Sequence, residues 1–363
     1  MSVVAATEMT TAPPVAGRVR RATTSSYAGA VIAVALVTWL AWHATRDVAA
    51  TQTKIVEVCV FVAVASMWNL LAGYAGLVSI GQQAFTGLGT YALVVFVNGH
   101  GWNLYLSVLP AAVVALIASV PIGFVAFRLR GAYFAVGTWV IAEVVALLLT
   151  QYTRDPIKGG SGTSIDAPAR TYPKDERYQL AALLAIAVAV LAVAIVYAIL
   201  RSRLGLALQA VRDNEAAARG LGIASYRTRF TVFLAAAFVT GAAGAIWYMF
   251  KLRVDPKVAF GVADWTAPIV VMVVIGGLGT IEGPIIGAVA FYLLQDYLTN
   301  DESTFHLDPL WYQVATGVVA VVFALWVQRG IWGTLQHRYR SLQLFPVRRT
   351  VHVITREEDT RHE

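Results

Sequence analysis

Residues 73–93 read GYAGLVSIGQQAFTGLGTYAL, with five glycines and no charged side chain. They follow an apolar run, 55–72, that has the length and composition of a membrane helix. Glycine weakens a helix and exposes its backbone, and hydrocarbon penalises every backbone polar group without a partner. Such a stretch therefore indicates either close packing between membrane helices or a helix that breaks beside a polar path. The sequence leaves both interpretations open.

The composition of the whole chain indicates a polytopic membrane protein. Its 363 residues are 58% hydrophobic and 13% charged, whereas soluble domains carry about 25% charged residues. The mean hydropathy is +0.65. The chain has one cysteine, Cys59, which lies in an apolar run. Because a disulfide framework and a thiolate metal cluster each need several cysteines, both are excluded. We predict an all-α fold, a bundle of about ten transmembrane helices with a range of eight to ten, and no metal site.

Long uncharged runs predict where the spans lie. The eighth and ninth are short and have Glu282 between them, so they form either one broken span or two short tilted ones. The predicted spans are 27–45, 55–72, 77–97, 104–127, 132–151, 178–200, 228–250, 265–277, 283–298 and 310–328.

The distribution of Lys and Arg predicts the orientation. With ten spans and a cytoplasmic N-terminus, 18 of the 28 fall in cytoplasmic segments, and five of the others lie in the long loop 152–177, where charge counts little. The net charge of +7 thus fits membrane orientation, and we expect no nucleic-acid partner. The apolar run after the basic start is too long for a signal peptide, so we interpret it as a retained span.

These features predict a simple domain organisation. A cytoplasmic tail, 1–26, precedes a membrane domain, 27–333, that contains a long cytoplasmic loop at 201–226. A second cytoplasmic tail, 334–363, is basic and then mixed in charge, and we expect it to be disordered from Gln336 onward.

The long cytoplasmic loop belongs to the segment RSRLGLALQAVRDNEAAARGLGIASYRTRF, residues 201–230. It is far longer than an ordinary connector. Leu204, Leu208, Val211 and Ala218 fall near one face of a helix, while most of the charges point elsewhere. The pattern fits an amphipathic helix on the membrane surface and equally a helix that docks on a cytoplasmic partner.

Residues 201–223 resemble the EAA loop with which membrane subunits of ABC importers dock on their ATPase. Glu215, Ala216 and Ala217 supply the motif, and Gly222 matches its later glycine with a spacing one residue longer than the common form. The resemblance implies that ATPase coupling involves Arg203, Gly205, Arg212, Asp213, Asn214, Glu215, Ala216, Ala217 and Gly222.

More of the chain resembles the branched-chain amino acid permeases of these importers, especially the longer of their two permease subunits. The similar segments are NLLAGYAGLVSIGQQAFTGLGTYAL, RLRGAYFAVGTWVIAEVV, GLALQAVRDNEAAARGLGI, VVIGGLGTIEGPIIGA and QRGIWG, in family order from about residue 55 to 333. The resemblance implies a bacterial inner-membrane protein with lipid around it. It also implies a second permease subunit in a hetero-dimer, two cytoplasmic ATPase subunits and an extracytoplasmic substrate-binding protein. ATP-Mg would bind to the ATPases, and this chain would bind no cofactor.

The polar and glycine-rich positions inside the spans are candidates for the translocation path, because amides, hydroxyls and freed backbone groups suit a zwitterion. Gln83 departs from the family pattern, which has a small residue there. Glu143 is an acidic residue well inside a span; substrate contact and pairing with another helix are both open, and we favour pairing. The candidates are Asn69, Gly73, Gly76, Ser79, Gly81, Gln82, Gln83, Glu143, Gly276 and Gly277.

Two functions compete. The first is a permease subunit of an ATP-driven importer for branched-chain or other hydrophobic amino acids, or for related amides or urea. The second is an ion-coupled secondary transporter, which usually places paired carboxylates or unwound ion sites in its spans. We expect no enzyme, because the sequence has neither a P-loop nor a readable catalytic constellation.

Overall fold

A computed structural model describes residues 17–20, 24–165, 172–299, 309–327, 330–338 and 350–353, and most of them are helical. The first five helices are α1 (Thr24–Arg46), α2 (Ala49–Asn69), α3 (Gln83–Val94), α4 (Val108–Ala126) and α5 (Ala132–Gln151). They are followed by α6 (Lys174–Arg201), α7 (Arg203–Asp213), α8 (Glu215–Gly220), α9 (Ser225–Lys251), α10 (Pro256–Ala259), α11 (Ala267–Gly276), α12 (Glu282–Thr299), α13 (Pro309–Trp326) and α14 (Gly330–Arg338).

Irregular turns and short strands connect these helices. Turns of π-helix follow α2 at Leu70–Tyr74, follow α3 at Val95–Gly99, and precede α11 at Val262–Thr266. The strands are β1 (Gly17–Arg20), β2 (Thr163–Ser164), β3 (Arg253–Val254) and β4 (Thr350–Val353), which pair antiparallel as β1 with β4 and β2 with β3.

The helices confirm a multi-pass helical membrane fold. Within the described residues, five are long and apolar enough to cross a bilayer, and three shorter apolar helices accompany them. The count of ten spans stays a prediction. The five long ones are Ala49–Tyr74, Val108–Ala126, Ala132–Gln151, Lys174–Arg201 and Ser225–Lys251, and the shorter ones are Val31–Arg46, Val262–Gly276 and Val314–Phe323.

Residues 265–298 form two helices, and whether each crosses the membrane stays a prediction. Helices α11 and α12 are separate, and the chain reverses between them through Gly277 and Gly279, which have φ of +129° and +76°. The two helices pack closely, because a Cβ on Gly276 would overlap the carbonyl oxygen of Gly283. This region is therefore a tight helical hairpin, not one broken helix.

Helix α2 lies at the centre of the bundle. Its most apolar window is 89% buried, and it packs against α6, α9, α11 and α12. A helix that is apolar and buried on all sides, as α2 is over residues 59–65, needs neighbours all round. By contrast, α4 and α5 bury 33% and 22% of their windows and leave broad apolar faces on the outside of the chain.

Close crossings of small residues hold α3 against α9. A Cβ on Gly89 would overlap the carbonyl oxygen of Gly241, and one on Gly244 would overlap that of Thr86. Membrane helices associate through such contacts because hydrocarbon gives them no hydrophobic driving force. The later glycines of the opening stretch, at 87 and 89, are thus packing positions.

The tails differ from the sequence prediction in part. Helix α14 extends to Arg338, and β4 pairs with β1 from Gly17↔Val353 to Arg20↔Thr350. The expectation of disorder from Gln336 onward is therefore wrong for these residues.

Candidate functional site

The first predicted feature is a break in the membrane helix after α2. Helix α2 widens into the π turn at Leu70–Tyr74, and the chain is then non-helical until α3 begins at Gln83. Gly76 supplies a φ of +68° at the bend. We call residues 70–82 the glycine-rich break. Its presence agrees with the interpretation of these glycines as the site of a discontinuous helix.

Side chains of neighbouring helices donate hydrogen bonds to backbone carbonyls that have no helical partner in this break. The Arg212 guanidinium donates to the Gly73 carbonyl oxygen, with Nη1 and O 2.7 Å apart. Arg229 Nε donates to the Ala75 oxygen at 3.4 Å, and the Trp68 indole donates to the Ser79 oxygen at 2.8 Å. Two of these three donors are arginines: Arg212 belongs to residues 201–226, which we call the coupling segment, and Arg229 belongs to the helix that follows it, α9.

Asn69 links the break to the hairpin between α11 and α12. Its Nδ2 donates to the Thr280 carbonyl oxygen at 2.7 Å, and its Oδ1 accepts from the Gly279 backbone N–H at 2.8 Å. A Cβ on Gly73 would lie 2.5 Å from Asn69 Oδ1 and 2.7 Å from the Gly279 nitrogen. The contact therefore requires glycine at position 73.

The hairpin glycines also contact the C-terminal part of the chain. Both Gly276 and Gly277 are buried. Gly330, which begins α14 with a φ of +66°, lies so close that a Cβ on it would overlap the Gly277 backbone. The two glycine-rich segments and the start of α14 thus form one contiguous cluster of backbone contacts.

Ser79 and Gly81 attach the break to α5. Thr138 Oγ1 accepts from the Ile80 backbone N–H at 3.2 Å, and Ser79 Oγ accepts from the Gly81 N–H at 3.3 Å. A Cβ on Gly81 would overlap the Thr138 carbonyl oxygen. Both residues are buried, and Gly81 packs directly against the α5 backbone.

Gln82 and Gln83 are enclosed inside the chain. Gln82 Nε2 donates to Thr240 Oγ1 of α9 at 2.7 Å, and Gln83 Oε1 accepts from Thr266 Oγ1 just before α11. Gln82 Oε1 and Gln83 Nε2 have no hydrogen-bond partner within the described residues. A buried amide with half of its capacity unused is costly unless water or a second conformation satisfies it.

Glu143 lies on the outward face of α5 and is exposed. Among the described residues it forms no ion pair or side-chain hydrogen bond. The favoured interpretation, pairing with another helix of this chain, is therefore not seen in this part of the structure. Of the predicted path residues, only Glu143 and Gly76 are exposed; the rest are at least partly packed against neighbouring elements.

The predicted coupling segment, 201–226, folds into two short helices, α7 and α8. Ser202 caps α7 by accepting from the Leu204 N–H, and Asn214 caps α8 by accepting from the Ala217 N–H at 3.0 Å. Leu208, Val211 and Ala218 are buried, as the helical pattern predicts. Gly205 is also buried and sits against the backbone of Leu200, where a larger residue would clash.

Charged residues of the coupling segment divide between inward and outward roles. Glu215 forms ion pairs with Arg219 and with Arg229, the latter with Nη1 and Oε2 2.8 Å apart. Partial burial alone raises the pKa of the Glu215 carboxyl, but hydrogen bonds and charge from both arginines outweigh it and hold that pKa below its usual value. Arg203, Asp213, Ala216, Ala217 and Gly222 are exposed.

Sequence reasoning missed several partners of these residues. In the sequence, Arg229 is one of several basic residues at the start of a helix. In the structure it forms an ion pair with Glu215 and donates a hydrogen bond to the Ala75 carbonyl of the glycine-rich break. Thr138, Thr240 and Thr266 lie within apolar helices and carry no local pattern. No signal in one sequence connects positions 139 or 158 residues apart, such as Arg212 with Gly73 or Gln82 with Thr240.

Comparisons with known proteins identify a family for most of the chain. The profile of the family described as branched-chain amino acid transport system / permease component matches residues 52–333. Two curated relatives, from Salmonella typhimurium and Escherichia coli K12, are both named high-affinity branched-chain amino acid transport system permease protein LivM. Each is 26% identical over 286 residues, which cover 72% of this chain and 65% of the relative. This chain thus spans about two thirds of the length of these relatives.

One solved structure is an inward-facing ABC transporter of metal-chelate type. Its chain aligns with this one at 12% identity and a TM-score of 0.45, covering 84% of this chain and 99% of the other.

Proposed function

Because this chain belongs to the family of branched-chain amino acid transport system permease components, we propose that it is the membrane subunit of an ATP-driven importer. In this role it forms half of the translocation path for branched-chain or other hydrophobic amino acids, or for related amides or urea. ATP-Mg binds to two cytoplasmic ATPase subunits, and a substrate-binding protein delivers the solute from the other side. Relatives named as branched-chain amino acid permeases support the choice of substrate.

The observation that carries the proposal is the construction of the coupling segment. Its apolar residues Leu208 and Val211 are already buried in the chain, so these two side chains are not available to insert into lipid. Its outward surface contains the small residues Ala216 and Ala217, several charged side chains, and two leucines, Leu206 and Leu221, that are 70% and 81% exposed. Small residues on a rigid, capped helix allow another backbone to approach closely, which favours a protein partner over a lipid surface.

The hydrogen bonds between the coupling segment and the glycine-rich break support a role in transmitting movement from the ATPase to the membrane domain. Arg212 and Arg229 bind carbonyls of the glycine-rich break, and Glu215 fixes Arg229 in place. We assign Asn69, Gly73, Gly76, Ser79, Gly81, Gln82, Gln83, Gly276 and Gly277 to the part of the permease that moves when the ATPase pulls on the coupling segment. Their packed arrangement then represents a closed conformation of the path.

The outer face of α5 supports a second permease subunit. Glu143 is exposed there beside Trp139 and Val140. A carboxylate that faces hydrocarbon costs about 2.5–3.5 kcal/mol of insertion free energy. This cost is smaller where the face carrying Glu143 contacts another protein subunit or a polar path. We propose that α4 and α5 meet the second subunit of a hetero-dimer and that Glu143 lies beside the path between them.

The docking role is tested by substituting the exposed Ala217 with Trp. The bulky side chain should clash at the contact and weaken ATPase binding roughly five- to hundredfold, as overpacking does. Ala50→Trp is the matched control, since Ala50 is exposed near the start of α2, at the far end of that helix from the coupling segment. Co-purification of the ATPase with each tagged variant is the measurement. Equal recovery of the ATPase with both variants would refute docking at this surface.

A further inference from the structure

A cavity of about 650 Å³ lies at the end of the bundle that is remote from the coupling segment. It is bounded by α2, α6, α9, α12 and residues 253–268. Helix α9 connects the two ends: it begins beside the coupling segment and its 27 residues end at Lys251 in the cavity wall. That length corresponds to about 40 Å. Under the predicted topology the cavity faces the side from which solute arrives.

The wall of this cavity carries charges of both signs. Glu57, Asp255 and Asp264 supply carboxylates, and Lys251 and Arg253 supply cations. Lys251 Nζ is 3.8 Å from Glu57 Oε1, too far for a hydrogen bond. Lys251 and Asp264 are exposed, so the cavity is accessible from the surface. The charges are therefore close together but only loosely paired with each other.

An aromatic wall adjoins these charges. Phe61 and Trp247 have ring centroids 5.3 Å apart, and Trp247 and Trp265 have centroids 5.4 Å apart. The Lys251 ammonium lies 4.2 Å from the centroid of the Trp247 ring. Such a surface takes up apolar groups and holds cations over its ring faces.

Tyr248 closes the cavity on the side of α9. It is only 3% exposed, and its hydroxyl is shielded from solvent beside Trp265. The volume of the cavity falls within the range of about 300–1,000 Å³ for small-molecule pockets.

We propose that this cavity is a binding site for a zwitterion, and specifically for an apolar α-amino acid on its way into the permease. Its ammonium group would lie among Glu57 and Asp264, its carboxylate near Lys251, and its side chain on the aromatic wall. This inference rests on the proposed function and adds to it a site formed by one chain alone. The ethanolamine phosphate headgroup of a lipid carries the same two charges and is the competing source.

Equilibrium binding of radiolabelled L-leucine tests the site. The complete transporter is placed in nanodiscs of phosphatidylglycerol, whose headgroup carries no cation, without the binding protein and without ATP. Glu57→Gln and Lys251→Met should each weaken leucine binding roughly ten- to hundredfold, because each removes a charged partner. Lys54→Met is the control: Lys54 pairs with Asp296 at 2.9 Å and neither residue lines the cavity. Asp264→Asn, at an exposed position, repeats the test where folding is not at risk.

Each outcome decides the proposal. Leucine binding that the three cavity variants lose, that Lys54→Met keeps and that persists in phosphatidylethanolamine nanodiscs supports the proposal. Absence of binding to a transporter that still takes up leucine overturns the site and leaves the proposed function standing, whereas absence of uptake in cells overturns the proposed function. Equal binding by all variants also overturns the site. A repeat in phosphatidylethanolamine nanodiscs identifies the source: loss of leucine binding there would assign the cavity to the lipid headgroup and refute the amino acid.

Discussion

Replacing Arg212 with Met should remove the hydrogen bond between the coupling segment and the glycine-rich break without unfolding either of them. Arg212 Nη1 donates to the Gly73 carbonyl oxygen at 2.7 Å, and Gly73 is buried. Met keeps most of the length and apolar stem of the arginine side chain but removes the donor. The carbonyl then loses its partner, and α7 loses a fixed point on the membrane domain.

The expected magnitude follows from this geometry. A hydrogen bond from a charged group contributes about 1.5–3 kcal/mol, but the Arg212 side chain is 41% exposed, which weakens the interaction. We therefore expect about 1–2 kcal/mol. The neighbouring pair with Asp213, at 3.3 Å and exposed, adds little. Local opening of α7 and α8 should become roughly five- to thirtyfold more frequent.

Hydrogen exchange of residues 203–222 measures this opening, because amides exchange when a segment opens locally. Arg227→Met is the control, since Arg227 is an exposed arginine at the start of α9. We expect faster exchange in Arg212→Met only, together with reduced uptake per ATP hydrolysed while the ATPase still co-purifies. Identical exchange in the two variants would refute the link between the coupling segment and the break.

Three further predictions follow from the packing and charge. Gly89→Val should prevent α3 from packing on Gly241 and destabilise the bundle by about 1–3 kcal/mol or more, so its yield from membranes should fall; Gly220→Val, with open space around it, should accumulate normally. The pKa of the Glu215 carboxyl is lower in the folded chain than in the unfolded chain, where it is about 4.3. The ion pairs of Glu215 therefore stabilise α8 at pH values above about 4.3, and this stabilisation is lost as the pH falls through the pKa of the folded chain. Exchange in α8, corrected for its intrinsic pH dependence, should therefore stay constant from pH 7 to 5 and rise only in more acidic solution; a rise already at pH 6 would contradict the ion-pair assignment. A photo-crosslinking residue at position 143 should capture the second permease, whereas one at the exposed Leu36 of α1 should not; equal capture would argue against the proposed subunit interface.

The sequence predicted the elements of this fold well because hydrocarbon imposes length and composition on its spans. The apolar face of α7, with Leu208 and Val211, was predicted because a 3.6-residue period is a local property. The break after α2 was one of the two interpretations that the clustered glycines left open in the sequence. The α11–α12 hairpin remained ambiguous in sequence, since only the backbone shows that Gly277 and Gly279 reverse the chain.

The candidate site was predicted less completely. Residue type alone places Gln82 and Gln83 near a polar path, but the path residues are largely enclosed by α3, α9 and the turn before α11. The assignment of Glu215 to a contact with the ATPase stays a prediction, and the sequence did not indicate that Glu215 also forms ion pairs with Arg219 and Arg229. Such contacts join residues far apart in the sequence, and a local hydrophobic pattern does not indicate them.

Transport by the reconstituted complex with ATP inside proteoliposomes tests the central claim most directly. Radiolabelled leucine is presented outside with the binding protein, and the ion gradients are collapsed with ionophores. An ATP-driven permease predicts uptake that requires internal ATP and persists without any gradient. Uptake that needs an ion gradient and proceeds without ATP would contradict the account and favour a secondary transporter.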